Sequence, residues 1–345
     1  MLRMAILGVG WAGTRHVEAI RELGCKVTVD CLVDHDAEFL KTKSEELGIQ
    51  KTYTDMDRAL ADSDVDAVSI CLPHALHCDT AVAAASAGKH VLCEKPIALA
   101  VEEATQMIRA ADEAGVKLYV AENLPYTPMS QFLSEIVQTG NYIGEVVSAS
   151  FSGGFRAQPA YAYPGRRAWL SAPELGGTGT WMLHGIHSMA QLRFILGEVE
   201  TVYMREHHAG SFARSDVEGT MHGLLTMEGG FGVSVTQTCE IRLRGTLGGY
   251  VIHGDRGSIR AMQKGCEVFG EDVAERPLHL DYPELARSDY AMEMAAFADY
   301  IETGEPGPTS ARGERRSLAV VQAGYESAQS GQPVYLKTRF GELSS

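Results

Sequence analysis

Met4-Ala5-Ile6-Leu7-Gly8-Val9-Gly10-Trp11-Ala12-Gly13 is an apolar run that breaks into G-x-G-x-x-G a few residues from the start of the chain. A short buried strand, a tight glycine turn and then a helix can hold a dinucleotide pyrophosphate. Gly8 makes the turn, Gly10 admits the phosphates and Gly13 packs helix on strand. The helix start at Trp11 offers backbone N–H groups and a positive dipole end to that anion, with Val9 and Ala12 completing the cradle. A second apolar run, Val27 to Val33, ends in Asp34, 21 residues beyond Gly13, about the spacing at which an acid meets the ribose hydroxyls. Its carboxylate would accept from the 2′-hydroxyl and repel a 2′-phosphate, so NAD is expected; His35 beside it leaves NADP open.

The pattern then repeats. Helical segments near 37–47 and 55–61 lead to the strand Ala67 to Leu72; a helix near 75–87 leads to His90 to Cys93; a helix over 101–114 leads to Lys117 to Ala121. Near-continuous apolar strands alternating with amphipathic helices predict an α/β fold with a doubly wound parallel sheet. Ligands of such sheets lie at the carboxyl ends of the strands, which singles out Leu72-Pro73-His74 with His77, Glu94-Lys95-Pro96 and Glu122-Asn123.

Beyond residue 122 strand-like alternation dominates, in Val146 to Phe155, Glu200 to Arg205, Val217 to Met227, Phe231 to Cys239 and Tyr250 to His253. A dinucleotide-binding domain over 1–122 and a second domain over 123–345 with a large, mostly antiparallel sheet are expected. Two late helices, near 288–303 and 311–330, are expected to cover that second sheet. Between its strands lies Arg156 to His187, with Tyr161, Tyr163, Arg166, Arg167, Trp169, the run Gly176-Gly177-Thr178-Gly179, and a helix from Thr180 carrying His184 and His187. Aromatic faces, guanidinium groups and imidazoles together suit a polyhydroxylated ligand.

The 345 residues, 45% of them hydrophobic, suffice for two cores. A formal charge of −15 argues against nucleic acid or an anionic membrane as partner. Seven cysteines form no C-x-x-C pair, so buried thiols in a reducing cytoplasm are expected and no metal site is. No signal peptide or membrane span is read.

Lys95 stands at a strand end on the side where a nicotinamide would lie. Partial desolvation favours its neutral amine, making it usable as a general base or as a donor to a carbonyl oxygen. His187 suits general acid–base work near neutral pH. A solvated lysine at a sheet edge and a histidine satisfied by backbone are the other readings of the same two residues.

G-x-G-x-x-G, Leu72-Pro73-His74 with His77, Glu94-Lys95-Pro96, Ile143-Gly144-Glu145-Val146, Gly185-Ile186-His187 and Tyr325-Glu326-Ser327-Ala328-x-x-Gly331 together resemble the Gfo/Idh/MocA family of NAD(P)-dependent oxidoreductases. The resemblance implies a Rossmann domain and an α/β domain whose open sheet forms a homodimer or homotetramer interface. It also implies oxidation of a secondary alcohol on a sugar, inositol or similar polyol. Lys95 and His187 match the pair that flanks the reacting hydroxyl; Asn123 and the loop from Tyr163 to Trp169 match substrate contacts. Leu183 stands where the family often has an aspartate, four residues before the histidine, leaving Lys95, His187 or His184 to manage the proton. Relatives that cleave glycosides by transient oxidation, and a binding protein without catalysis, are the alternatives.

Overall fold

β1 (Leu2–Leu7) is covered on both faces, with Met4 to Leu7 at most 1% exposed, as a central parallel strand must be. The chain continues through α1 (Trp11–Leu23), β2 (Val27–Val33), α2 (Ala37–Leu47), β3 (Thr52–Tyr53), α3 (Met56–Leu60) and β4 (Ala67–Ile70). α4 (His77–Ser86), β5 (His90–Glu94), α5 (Val101–Ala114) and β6 (Leu118–Ala121) follow. These strands pair in parallel in the order β3-β2-β1-β4-β5-β6. The connections run to opposite sides of β1, so the carboxyl ends of β1 and β4 flank the crevice where ligands of such sheets lie. Asp36 caps α2 by accepting from Phe39 N, and Gly48 ends it in the left-handed conformation.

Then come α6 (Pro128–Thr139), β7 (Val146–Gly154), α7 (Ile186–Leu196), β8 (Val199–His207), β9 (Thr220–Met227), β10 (Gly232–Thr238) and β11 (Tyr250–Gly254). β12 (Gly257–Ala261), β13 (Gly265–Gly270), β14 (Leu278–Asp281), α8 (Asp289–Thr303), α9 (Ala311–Ser330), β15 (Val334–Tyr335) and α10 (Leu336–Phe340) complete the order. The computed structural model describes residues 1–24, 26–154, 163–176, 179–240, 249–270, 273 and 277–343. Cys25, Phe155, Arg156, Tyr161 and the Gly177-Thr178 pair lie outside the described residues. The chain divides into two units, Met1–Tyr126 with Ala286–Arg315, and Thr127–Leu285 with Arg316–Ser345.

In the first unit α8 lies on α1, not over the second sheet as its position in the chain suggested. Its buried Ala291, Met294 and Phe297 share one face and join Val17 and Ile20 of α1 and Met4 and Ile6 of β1 in one core. The free side of β6 is covered as well: Val120 N donates to Thr309 O, and Thr309 Oγ1 donates to Val120 O. Such cover blunts a sheet edge against pairing with another chain.

The second unit is built on a sheet of order β14-β13-β12-β11-β7-β10-β9-β8-β15, parallel between β7 and β10 and antiparallel elsewhere. Val233 and Val235 of β10, with Leu225 and Met221 of β9, fill its covered face. On the other face Tyr203, Leu224, Ser234, Ser150, Val251 and Arg260 stand opposite one another in a row across five strand pairings. The sequence pattern does not single out β3 or β12 to β15. They are two to six residues long, and β12 and β13 carry Gly257, Gly265, Gly270 and a buried Glu267 that blur an apolar alternation. Among the described residues no helix is long and apolar enough to cross a membrane.

Candidate active site

The glycine loop after β1 has three different constraints at its three glycines. A Cβ on Gly8, whose φ is +88°, would lie 2.5 Å from the carbonyl oxygen of Cys71. One on Gly13 would lie 2.1 Å from Gly8 O, whereas Gly10 has nothing within 4 Å of that position. The first closes the turn against β4, the second lets α1 approach β1, and the third leaves open space at the helix start. No side chain caps α1 at Gly10, so the amides of its first turn and the dipole end suit an anion there. These residues fit a dinucleotide. Trp11 is exposed beside the loop, with the Arg15 guanidinium 5.7 Å from its ring centre.

Asp34 sits at the end of β2 and is 5% exposed. Its Oδ2 accepts from Val9 N at 3.3 Å and its Oδ1 from Asp36 N at 3.2 Å. The acid is thereby held beside the glycine loop, where ribose hydroxyls would reach it. Leu72 follows β4, and a Cβ on Gly8 would come within 3.1 Å of its side chain.

His77, expected near the nicotinamide, is held by two backbone carbonyls. Its ring is wholly buried, with Nδ1 2.9 Å from Pro96 O and Nε2 3.0 Å from Leu72 O. It braces the segment after β4 against the segment after β5, and any contribution to a ligand would pass through Leu72, Pro73 and Pro96. Burial pushes its pKa down, against the pull of the two carbonyls.

Glu94 ends β5 and Lys95 follows it. Glu94 Oε2 accepts from Lys95 N at 3.1 Å, while Oε1 lies 3.2 Å from Nε2 of His16 on α1. His16 is fully buried, and its Nδ1 lies 2.6 Å from Ser69 Oγ. Sequence reasoning passed over His16, although its spacing from Gly13, Val17 and Ile20 marks the inward face of α1.

Burial lowers the Lys95 ammonium below its ordinary pKa, opposed by the charges of Glu94 and Glu122. Glu122 is fully buried, accepts from Leu124 N at 3.0 Å, and is raised by burial to about 8. The two groups are displaced toward each other: burial favours the neutral amine of Lys95 and the protonated carboxyl of Glu122. Asn123 donates from Nδ2 to Asp289 Oδ2 at 2.6 Å. Glu293 on α8 is also buried and its pKa is raised, chiefly by desolvation.

In the second unit the helix expected from Thr180 is of two kinds. Trp181–Gly185 is π-helical and runs into α7. The His184 and His187 rings are 6.2 Å apart, centre to centre. Leu183 is buried in an apolar cluster with Phe212, Val217 and Cys239, against which Tyr163 and Leu170 also pack. The position at which the family often has aspartate therefore faces hydrocarbon. The 3₁₀ segment Gly165–Ser171 carries Arg166, which is exposed, and Trp169, which is half-buried. Arg167 stacks its guanidinium 4.2 Å from the Tyr163 ring centre.

Two family descriptions match the chain. "Oxidoreductase family, NAD-binding Rossmann fold" covers residues 2–122, and "Oxidoreductase family, C-terminal alpha/beta domain" covers 138–336. The 1,5-anhydro-D-fructose reductase of Ensifer adhaerens is 31% identical over 330 residues, 93% of this chain and 94% of that one. The myo-inositol 2-dehydrogenase of Thermotoga maritima is 26% identical over 354 residues, 99% of this chain and 100% of that one. Among solved structures, an oxidoreductase from Agrobacterium radiobacter in complex with NAD+, L-tartaric acid and magnesium shares the fold, with a TM-score of 0.86 at 24% identity. It covers 98% of this chain and 99% of its own.

Proposed function

The chain belongs to the Gfo/Idh/MocA family of NAD-binding oxidoreductases, and we propose that it moves a hydride between a secondary alcohol of a sugar, glycoside or inositol-like polyol and the nicotinamide. Lys95 carries this reading: a half-buried lysine with a lowered pKa beside a buried, proton-holding Glu122, at the carboxyl end of β5. When bound, the nicotinamide accepts or supplies the hydride. Gly8, Val9, Gly10, Trp11, Ala12 and Gly13 hold the pyrophosphate, Asp34 the ribose, and Leu72, Pro73, Glu94 and Lys95 border the ring. Lys95 and His187 are the two candidates to take the proton of the substrate hydroxyl. Fixing donor carbon and acceptor at reacting distance is the protein's share of the barrier lowering.

Substrate contacts fall to Asn123, Tyr163, Arg166, Trp169 and His184. A sugar or polyol is supported by the names of relatives that reduce 1,5-anhydro-D-fructose or oxidise myo-inositol. A second copy of the chain covers the Tyr203-to-Arg260 row of the open sheet. The described cysteines stand as free thiols, which suits a reducing cytoplasm.

The test is a panel of 1,5-anhydro-D-fructose with NADH or NADPH, and of myo-inositol, D-xylose and simple glycosides with NAD+ or NADP+. Net change in nicotinamide absorbance at 340 nm on the order of the usual dehydrogenase rates is the expected result. Sugar release from a glycoside without net reduction, or binding without chemistry across the panel, overturns the proposal.

A further inference from the structure

Two features of the second unit remain without a role: the motif that begins at Tyr325, and Glu218, an acid that is 3% exposed. They meet at one oxygen. Glu218 Oε1 accepts from Trp181 N at 2.7 Å and from the Tyr325 hydroxyl at 3.1 Å, and that hydroxyl in turn accepts from Met182 N at 3.0 Å. Trp181 and Met182 are the first two residues of the π-helical segment, and helix starts leave such N–H groups without intrahelical partners.

The same assembly wedges the Trp181 ring in place. Its Nε1 donates to Val321 O at 3.0 Å. A Cβ on Gly185 would lie 2.5 Å from Trp181 Cε3, one on Gly324 2.4 Å from Nε1, and one on Gly179 1.6 Å from Glu218 Oε2. Gly185 of the Gly185-Ile186-His187 motif and Gly179 of the glycine-rich run thus make room for one tryptophan and one carboxylate.

A π-helical turn closes on i→i+5 bonds, holds an extra residue per turn and is uncommon, so it persists where its surroundings impose it. Here it decides how the next turn faces: Leu183 enters the apolar cluster, and His184 and His187 stand with rings 6.2 Å apart. We propose that Glu218 and Tyr325 are positioning residues for His187, because together they pin the start of the wide turn that sets its orientation. The proposal rests on the reading of His187 as an acid–base group in the reaction above.

Protein labelled with ¹⁵N-histidine tests it. The His187 imidazole signals are assigned by their loss in His187→Asn. Tyr325→Phe, which removes one hydroxyl, should shift those signals and their titration midpoint. It should also lower kcat roughly ten- to hundredfold, with KM nearly unchanged. Glu218→Met, which lacks an acceptor, should do the same, and Glu218→Gln, which keeps one opposite Trp181 N, should restore most of both. Unmoved imidazole signals in Tyr325→Phe and Glu218→Met overturn the proposal. Should His187→Asn keep full turnover, the acid–base reading falls, and the imidazole signals alone still decide whether Glu218 and Tyr325 orient this side chain.

Discussion

Nε2 of His16, on the helix that follows the glycine loop, lies 3.2 Å from Oε1 of Glu94, at the end of β5. The contact links the helix after the glycine loop to the residue that precedes Lys95. Burial alone would lower the pKa of His16, yet Cys71 and Glu94 beside it hold it well above the ordinary value. His16→Ala should therefore cost about 2 kcal/mol of stability and loosen Lys95 through its bond to Glu94. Urea melts at pH 6 measure the first effect; an unchanged midpoint would contradict it.

The Asp34 carboxylate accepts from Val9 N, and under the proposed function it also takes the ribose hydroxyls. Asp34→Asn keeps an acceptor for the loop and removes the charge that repels a 2′-phosphate. The ratio of NADP+ to NAD+ affinity should rise about tenfold or more, the scale of one lost charge repulsion. Asp34→Ala, without the acceptor, should weaken both cofactors. Fluorescence titration of each variant with each cofactor reads the difference.

Lys95→Ala should lower kcat by about 10²- to 10⁴-fold, the usual range for a general acid or base. Dissociation constants for the cofactor should stay within about threefold, because the pyrophosphate and ribose contacts lie elsewhere. A variant that turns over near the wild-type rate removes Lys95 from the mechanism.

Burial raises Glu122 from 4.5 to about 8 and Glu218 from 4.5 to about 7. In each case the folded protein keeps a proton that the unfolded chain releases. Their contribution is fully present below pH 4.5 and is lost as pH rises, by about pH 8 for Glu122 and by about pH 7 for Glu218. Gln at either position has nothing to ionise. The Tm difference between Glu122→Gln and wild type should accordingly move in the variant's favour from pH 5 to pH 9, with most of the change for Glu218→Gln complete by pH 8. Parallel Tm curves across that range would exclude these buried protons.

Leu224 is 49% exposed on the open sheet face and stands opposite Tyr203 and Ser234. If a second copy covers this row, Leu224→Glu puts a charge into an apolar contact and should shift the assembly toward monomer. Sedimentation velocity on the variant and the wild type checks it; identical profiles place the interface elsewhere.

Local spacing made much of the first unit readable. Gly8 and Gly13 are demanded by a turn and a close approach and Gly10 leaves open space at the helix start, all within six consecutive residues, and Asp34 follows one strand later, so a short-range pattern suffices. His77 shows what such a pattern leaves out. Its place after β4 says ligand, while its burial between Leu72 O and Pro96 O depends on how two loops far apart in sequence come together. The placement of α8 on α1 was hidden for a similar reason: an apolar helix face shows that something is covered and leaves open what covers it.

From the sequence alone came the alternation of strands and helices, the glycine cradle, its acid and the family likeness, because each depends on neighbours within a few turns of chain. Tertiary structure alone decided that His16 holds Glu94 across 78 residues of chain, that Leu183 enters hydrocarbon, and that Glu218 and Tyr325, 107 residues apart, share the start of a π-helical turn. Those pairings cost desolvation that only a formed core can offset with hydrogen bonds, and no periodicity along the chain records which buried polar group will meet which.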